Sequence, residues 1–356
     1  MVEKSMLSTD LKRTRVLKPG KGGSLRFFPA IAAIIASTTA FALLNLAAIF
    51  LLDILSLFIE LTSVSAILTM LFISQISGAL LTYYLLIPLF KVKQVPEGAL
   101  RGSNLRRSVL IFMGVYSIIL LGNMLFVYLA SMFNALPTSG YGSIMLSEEL
   151  MKDPYTVILY FLAPTIGAGV YEEMVYRRMV IPSLEKSGMA PFTAAVSSAA
   201  FFAFGHLPND LINGNLTGAM IHVFGVFCIG IALGVAYIFS RKVIIPMAMH
   251  ALYNLISFLG PFVILTESPL PLILYSLMMW TIIAGGIVTS AYILIQYFRR
   301  REYEWIQLVK KDSSVKSGLG FLGFMAIGIL AYIGILGLEI LLVLSVEEGM
   351  NYFLAL

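Results

Sequence analysis

Cysteine, histidine and charge are all scarce in this chain. Among 356 residues there is one cysteine, Cys228, and there are three histidines, His206, His222 and His250. A single cysteine excludes a disulfide framework and a cysteine-based metal site. Three histidines leave few candidates for site chemistry. Only 12% of residues are charged, against about a quarter in a soluble domain. Meanwhile 59% are hydrophobic and the mean hydropathy is +0.92. These values exclude an ordinary soluble enzyme and a disordered chain, because a soluble fold has too little interior to hide so much apolar surface. The net charge of +5 invites a nucleic-acid reading. The basic residues fall between apolar runs, however, which is a pattern of membrane topology, so no nucleic-acid partner is expected.

What is abundant is apolar sequence in long runs. About 20 apolar residues cross a bilayer core as a helix. Nine runs are of this kind, at 27–52, 62–90, 108–133, 154–176, 190–207, 217–240, 243–262, 271–298 and 317–345. They are continuous rather than alternating, which argues against a β-barrel. The expected fold is all-α, a polytopic membrane helical bundle of about 8–9 transmembrane helices. Residues 1–26 carry seven Lys/Arg and no apolar core, so they read as a basic arm rather than a signal peptide. The other basic residues cluster in 91–107, at Arg177, Arg178 and Lys186, at Arg241 and Lys242, and in 299–316. All but Lys152 of the 24 Lys/Arg then fall on one face of the membrane. Positive residues stay inside, so the expectation is a multi-pass cell-membrane protein with a cytoplasmic N-terminus. The arm is expected to touch anionic lipid.

Charges inside a span are costly and need a reason. The densest cluster is Glu172-Glu173-Met174-Val175-Tyr176-Arg177-Arg178. Arg177 follows Glu173 by four residues, on the same helical face, so the two can pair. A plain alternative is that the glutamates only mark the membrane edge. His206 lies near the end of the fifth run, and His250 and Asn254 share a face of the seventh. Taken singly, each is as well explained as an interhelical hydrogen-bonding group.

Geometry draws these residues together. Runs four and five read as an antiparallel helical pair, with Gly188 at a C-terminal cap and Pro191 at the next helix start. Glu172 and His206 are equidistant from that turn, so they should lie at equal height. If the pair projects roughly 20 Å into the cytoplasm, both residues sit in the inner leaflet. His250 lies about 12 Å beyond Lys242 by the same helical rise, and Asn254 one turn deeper. Gly230 and Gly234 form a small-xxx-small step that lets run six approach a neighbour closely. The five polar residues can thus converge on one cavity.

The runs EExxxR (Glu172, Glu173, Arg177), FxxxH (Phe202, His206) and HxxxN (His250, Asn254), in this order, resemble the CPBP family of CaaX prenyl proteases and bacteriocin-processing proteins, also called Abi. Gly230 and Gly234, with Tyr237 three further on, resemble the family's span between the histidines. The resemblance covers roughly 154–262. Arg178 departs from it, since bacterial members often have glycine there. The resemblance implies an intramembrane endopeptidase acting near the cytoplasmic membrane face, on the C-terminal tripeptide of prenylated proteins or on other membrane-associated peptides. It divides the chain into a basic arm (1–26), N-terminal transmembrane helices (27–153), a catalytic four-helix core (154–262) and C-terminal helices (263–356).

The chemistry expected is a water activated by Glu172 as general base, with His206 holding the water. His250 and Asn254 would face the oxyanion, and Glu173 would serve the Arg177 pair and orientation. No cofactor is required on this reading. A zinc ion held by Glu172, His206 and His250, as in a metalloprotease, is the alternative, although no HExxH run occurs. Two further alternatives stay open. A transporter would use the buried ionisable groups as an ion path, but no two-half symmetry is visible. A non-catalytic immunity or scaffold protein would keep the fold without the reaction. His222 reads as an interhelical or interfacial group, Cys228 as a packing residue, and Glu339 has no assigned role.

Overall fold

The computed structural model describes scattered residues between 32 and 47, then 63–92, 102–132, 153–186, 189–207, 216–266 and 268–300. Among these residues the chain is helical throughout, with no strand. We number the helices in chain order. Helix α1 covers Ser63–Leu81 and continues as a π-helix over Thr82–Leu86 into Ile87–Leu89. Helix α2 is Gly102–Met132 and α3 is the long segment Pro154–Lys186. Helix α4 is Pro191–Phe204, α5 is Leu216–Ser240, α6 is Ile244–Leu265 and α7 is Pro269–Arg300.

Five of the described helices are long and apolar enough to cross a membrane: Val64–Leu89, Pro154–Lys186, Gly218–Ser240, Ile244–Ile264 and Pro269–Ile295. Ser108–Gly122 and Pro191–Phe204 are shorter apolar helices. The expected run 317–345, Glu339 and Gly188 lie outside the described residues, as does most of 27–52. A count of eight or nine spans therefore reduces to five candidates here. The fourth run differs from its expected end at 176, because the helix continues to Lys186.

Helix α3 lies between α1 and α6, and its last turns meet α4. Helix α5 packs along α4 on one side and α2 on another, and α7 covers α2. The outer helices show apolar side chains such as Leu270, Leu277, Trp280, Ile287 and Val288 on the surface. Such a surface suits lipid, and it would be a liability in water.

Local sequence explains where α3 starts and where it departs from regular geometry. Asp153 caps the helix, accepting from the backbone N–H of Tyr155 and Thr156 at 3.1 Å each, with Pro154 at the first position. Two π-helical stretches follow, Ala163–Gly167 and Met174–Val180. Each has a proline at hand: Pro164 lies inside the first and Pro182 just past the second. A proline has no N–H to donate, and its ring crowds the carbonyl four residues back. The π-helix in α1 is likewise followed by Pro88. Between the two π stretches of α3 stands one short α segment, Ala168–Glu173, and both glutamates are in it.

The tip of α3 ties two other helices. Arg241 and Lys91 are the non-glycine residues with positive φ among the described residues, at 54° and 49°. Each ends a helix. Glu185, itself buried, receives a bidentate pair from Arg241, both contacts at 2.9 Å. Lys186 Nζ donates to the Lys91 carbonyl at 3.1 Å.

Candidate active site

The centre of the site is a fully buried carboxylate. Glu173 has no solvent exposure, and neither has Arg177. The four-residue spacing brings Arg177 Nε to 3.1 Å from Glu173 Oε2. Arg177 also donates from Nη2 to the Gly230 carbonyl at 3.1 Å, and its guanidinium lies over the Phe202 ring at 4.8 Å. A buried charge needs such partners, because desolvation is otherwise prohibitive. On its other side Glu173 Oε1 accepts from His250 Nδ1 at 2.9 Å. That donation fixes the ring and turns His250 Nε2 toward Glu172, whose Oε2 is 3.5 Å away. The two adjacent glutamates thus differ. Glu173 is sealed, with one oxygen bonded to His250 and the other in the ion pair with Arg177, whereas the Glu172 side chain keeps 20% of its exposure.

The π-helix before the glutamates serves the site directly. The Ala168 N–H bonds to the carbonyls of Ala163 and Thr165 and passes over that of Pro164. Asn254 Nδ2 donates to the Pro164 carbonyl within this stretch. Asn254 was expected to face an oxyanion, and one of its two N–H groups is instead spent on this backbone anchor. The second remains to it. Gly169 keeps α6 close: a Cβ there would stand 3.4 Å from the Ala251 nitrogen and 3.5 Å from the Met247 carbonyl oxygen.

His206 enters from the C-terminal end of α4. Its Nδ1 is 2.9 Å from the Phe202 carbonyl. A carbonyl only accepts, so Nδ1 carries the hydrogen and Nε2 carries the lone pair in the neutral ring. Phe202 stands between the two histidines, edge to face with His206 at 5.0 Å and with His250 at 5.6 Å between centroids. His206 therefore joins the cluster through Phe202, while the direct partner of Glu172 is His250.

Gly230 and Gly234 face α4. A Cβ on Gly230 would meet Ala199 Cβ at 2.9 Å, and one on Gly234 would meet Ala195 Cβ at 3.0 Å. The small-residue step thus permits the close approach that also presents the Gly230 carbonyl to Arg177. Two features were not foreseen. His222 lies beside His206, with ring centroids 5.6 Å apart. The Glu185–Arg241 pair holds the tip of the helix that carries the glutamates.

The alternative zinc set does not come together. Among the described residues no three His, Cys, Asp or Glu side chains gather in a way that could hold a metal ion. We therefore derive no step through a metal.

A family model described as type II CAAX prenyl endopeptidase Rce1-like matches residues 154–256. This is the family that the three motifs resemble, and the matched stretch holds all of them, from Glu172 to Asn254. The match supports a CAAX-type intramembrane protease kind of function and, with the apolar helices, a multi-pass membrane protein. No curated protein and no solved structure matches the chain.

Proposed function

We propose that this protein hydrolyses a peptide bond at the membrane, with Glu172 activating the attacking water. One observation carries this reading. Of two neighbouring glutamates, one is buried and neutralised by Arg177 and His250, and the other is left accessible beside an imidazole nitrogen. Environment can divide two like groups into different roles in this way.

In this reading Glu172 removes a proton from water as the water oxygen attacks the scissile carbonyl carbon. His206 Nε2 accepts a hydrogen bond from the same water. His250 Nδ1 donates to Glu173, which leaves the lone pair on Nε2 in the neutral ring, so in this reading the second N–H of Asn254 faces the negative oxygen that develops. The proton held by Glu172 then passes to the departing amine as the carbon–nitrogen bond breaks. Glu173 and Arg177 do not touch substrate, and they hold the His250 ring and the helix that presents Glu172. The substrate is a membrane-associated peptide or a prenylated protein C-terminus, reached from the cytoplasmic face, and the N-terminal arm lies on that face.

The test is cleavage of matched prenylated and unprenylated reporters ending in CaaX by the protein purified in lipid. Glu172→Gln and His206→Ala should each remove at least about 99% of the activity, within the range expected for loss of general-base catalysis, while leaving the helical content unchanged. Wild-type rates in either variant would refute the assignment. A strong chelator arm separates glutamate-activated water, which keeps its rate, from metal-dependent hydrolysis, which loses it.

A further inference from the structure

The register between α4 and α5 brings a third histidine to the site. Gly234 meets Ala195, and one helical turn back Gly230 meets Ala199. A turn further Val226 packs with Phe202 and Ala203. Each step of four down α5 is a step of four up α4, as an antiparallel pair with a constant register requires. The next step sets His222 against the end of α4, and there the rings of His222 and His206 stand 5.6 Å apart at 70°. This placement follows from two glycines whose Cβ would collide, so the contact is set by the backbone approach and not by a loose side chain.

The His206 ring thus has two aromatic neighbours. Phe202 stands edge to face with it at 5.0 Å and 81°, and His222 at 5.6 Å and 70°. Its Nδ1 is fixed to the Phe202 carbonyl at 2.9 Å. An imidazole turns about two side-chain bonds, and one hydrogen bond leaves rotation about its own axis. Two rings packed against it restrict that freedom. On the other side of Phe202 the corresponding position belongs to His250, which needs no such support because Glu173 and Glu172 address both its nitrogens.

We propose that His222 is a positioning residue for the reaction, holding the His206 ring so that Nε2 presents its lone pair to the attacking water. The proposal rests on the proteolytic reading given above. His222 itself touches neither substrate nor the reacting atoms. It acts through orientation, and small errors of orientation carry large rate penalties.

The test combines a spectroscopic and a kinetic arm on the full-length protein in lipid. With three histidines in the chain, ring ¹⁵N signals can be assigned by single replacements. In the wild type His206 should show the hydrogen on Nδ1. In His222→Ala its signals should shift toward a mixture of tautomers, while His222→Phe, which keeps a ring against His206, should stay close to wild type. In the cleavage assay His222→Ala should lower kcat about tenfold with KM unchanged, and His222→Phe should recover most of that loss. In a His206→Ala background His222→Ala should have no further effect. Unchanged His206 signals in His222→Ala would overturn the proposal whether or not the protein cleaves peptides. So would changed signals with an unchanged kcat, or an equal loss in the His206→Ala background. Changed signals in a wild type that cleaves nothing would uphold the hold on His206 and refute the proteolytic reading instead.

Discussion

Replacing Arg177 with methionine should be the most damaging single change at the site. The guanidinium has no solvent exposure and three engagements: Glu173 at 3.1 Å, the Gly230 carbonyl at 3.1 Å and the Phe202 face at 4.8 Å. Methionine keeps much of the stem volume and removes the charge. Glu173 is then a carboxylate without exposure that faces only His250. Removing one partner of a buried pair costs about 3–5 kcal/mol, because the other charge is stranded. The paired change Arg177→Met with Glu173→Gln removes both charges, and the new amide carbonyl still accepts from His250 Nδ1. Its cost should drop to about 1–2 kcal/mol, the size of a lost hydrogen bond or two. Glu173→Gln alone strands the guanidinium in turn, so the two positions should couple by at least about 2 kcal/mol in a double-mutant cycle. Reversible unfolding in mixed micelles, followed by circular dichroism, reads all four proteins. If Arg177→Met lies within about 0.5 kcal/mol of wild type, or if the single effects simply add, the ion pair is not what secures Glu173 and the reasoning fails.

Two further predictions concern the scaffold. Gly230→Ala puts a Cβ 2.9 Å from Ala199 Cβ, 3.1 Å from its Cα and 3.2 Å from Phe202 Cδ1. It should destabilise the protein by about 1–3 kcal/mol and reduce cleavage, whereas Gly225→Ala on the same helix meets only Ile119 Cγ2 at 3.7 Å and should be harmless. Equal melting temperatures for the two would contradict the close-approach argument. At the start of α3, the Thr156 hydroxyl and two backbone N–H groups hold the Asp153 carboxyl below its ordinary value of 3.8. A depressed folded value means that the cap is intact at neutral pH and lost as pH falls through that lower value. Amide exchange at Tyr155 and Thr156 should therefore lose protection only in acid, and Asp153→Asn should flatten this dependence. Loss of protection already at pH 6 would refute it.

The pairing of Arg177 with Glu173, the close approach at Gly230 and Gly234, and the helix start at Pro191 were readable because each is local. A four-residue spacing, a small-residue step and a proline at a first turn have one geometric meaning on a helix. The partner of Glu172 was not readable. Equal distance from the turn sets the height of Glu172 and His206, but it says nothing about rotation, and the π stretch Met174–Val180 rotates the helix between them. Pro88, Pro164 and Pro182 were visible signs of irregular helix. They do not suffice alone, since Pro261 sits inside α6 without a π-helix beside it. The role of Asn254 was hidden for the same reason, because its acceptor is a backbone carbonyl inside a π stretch. His222 was within reach: extending the glycine register by two turns would have placed it beside His206.

The two charged residues at the tip of α3 also act as a counting device for that helix. Glu185 faces a guanidinium and Lys186 faces a carbonyl, so neighbouring positions demand opposite signs. One extra residue upstream would set the Glu185 carboxylate against the Lys91 carbonyl, and one fewer would set the Lys186 ammonium against Arg241. A π-helix is itself a one-residue change of phase. Were Met174–Val180 to tighten into an α-helix, everything beyond would turn by about 100°, and both contacts would break at once. The tip thereby proofreads the phase of the helix across the very stretch that contains Arg177. The number of residues between the glutamates and the last turn is fixed from a distance, by two side chains that never approach the site.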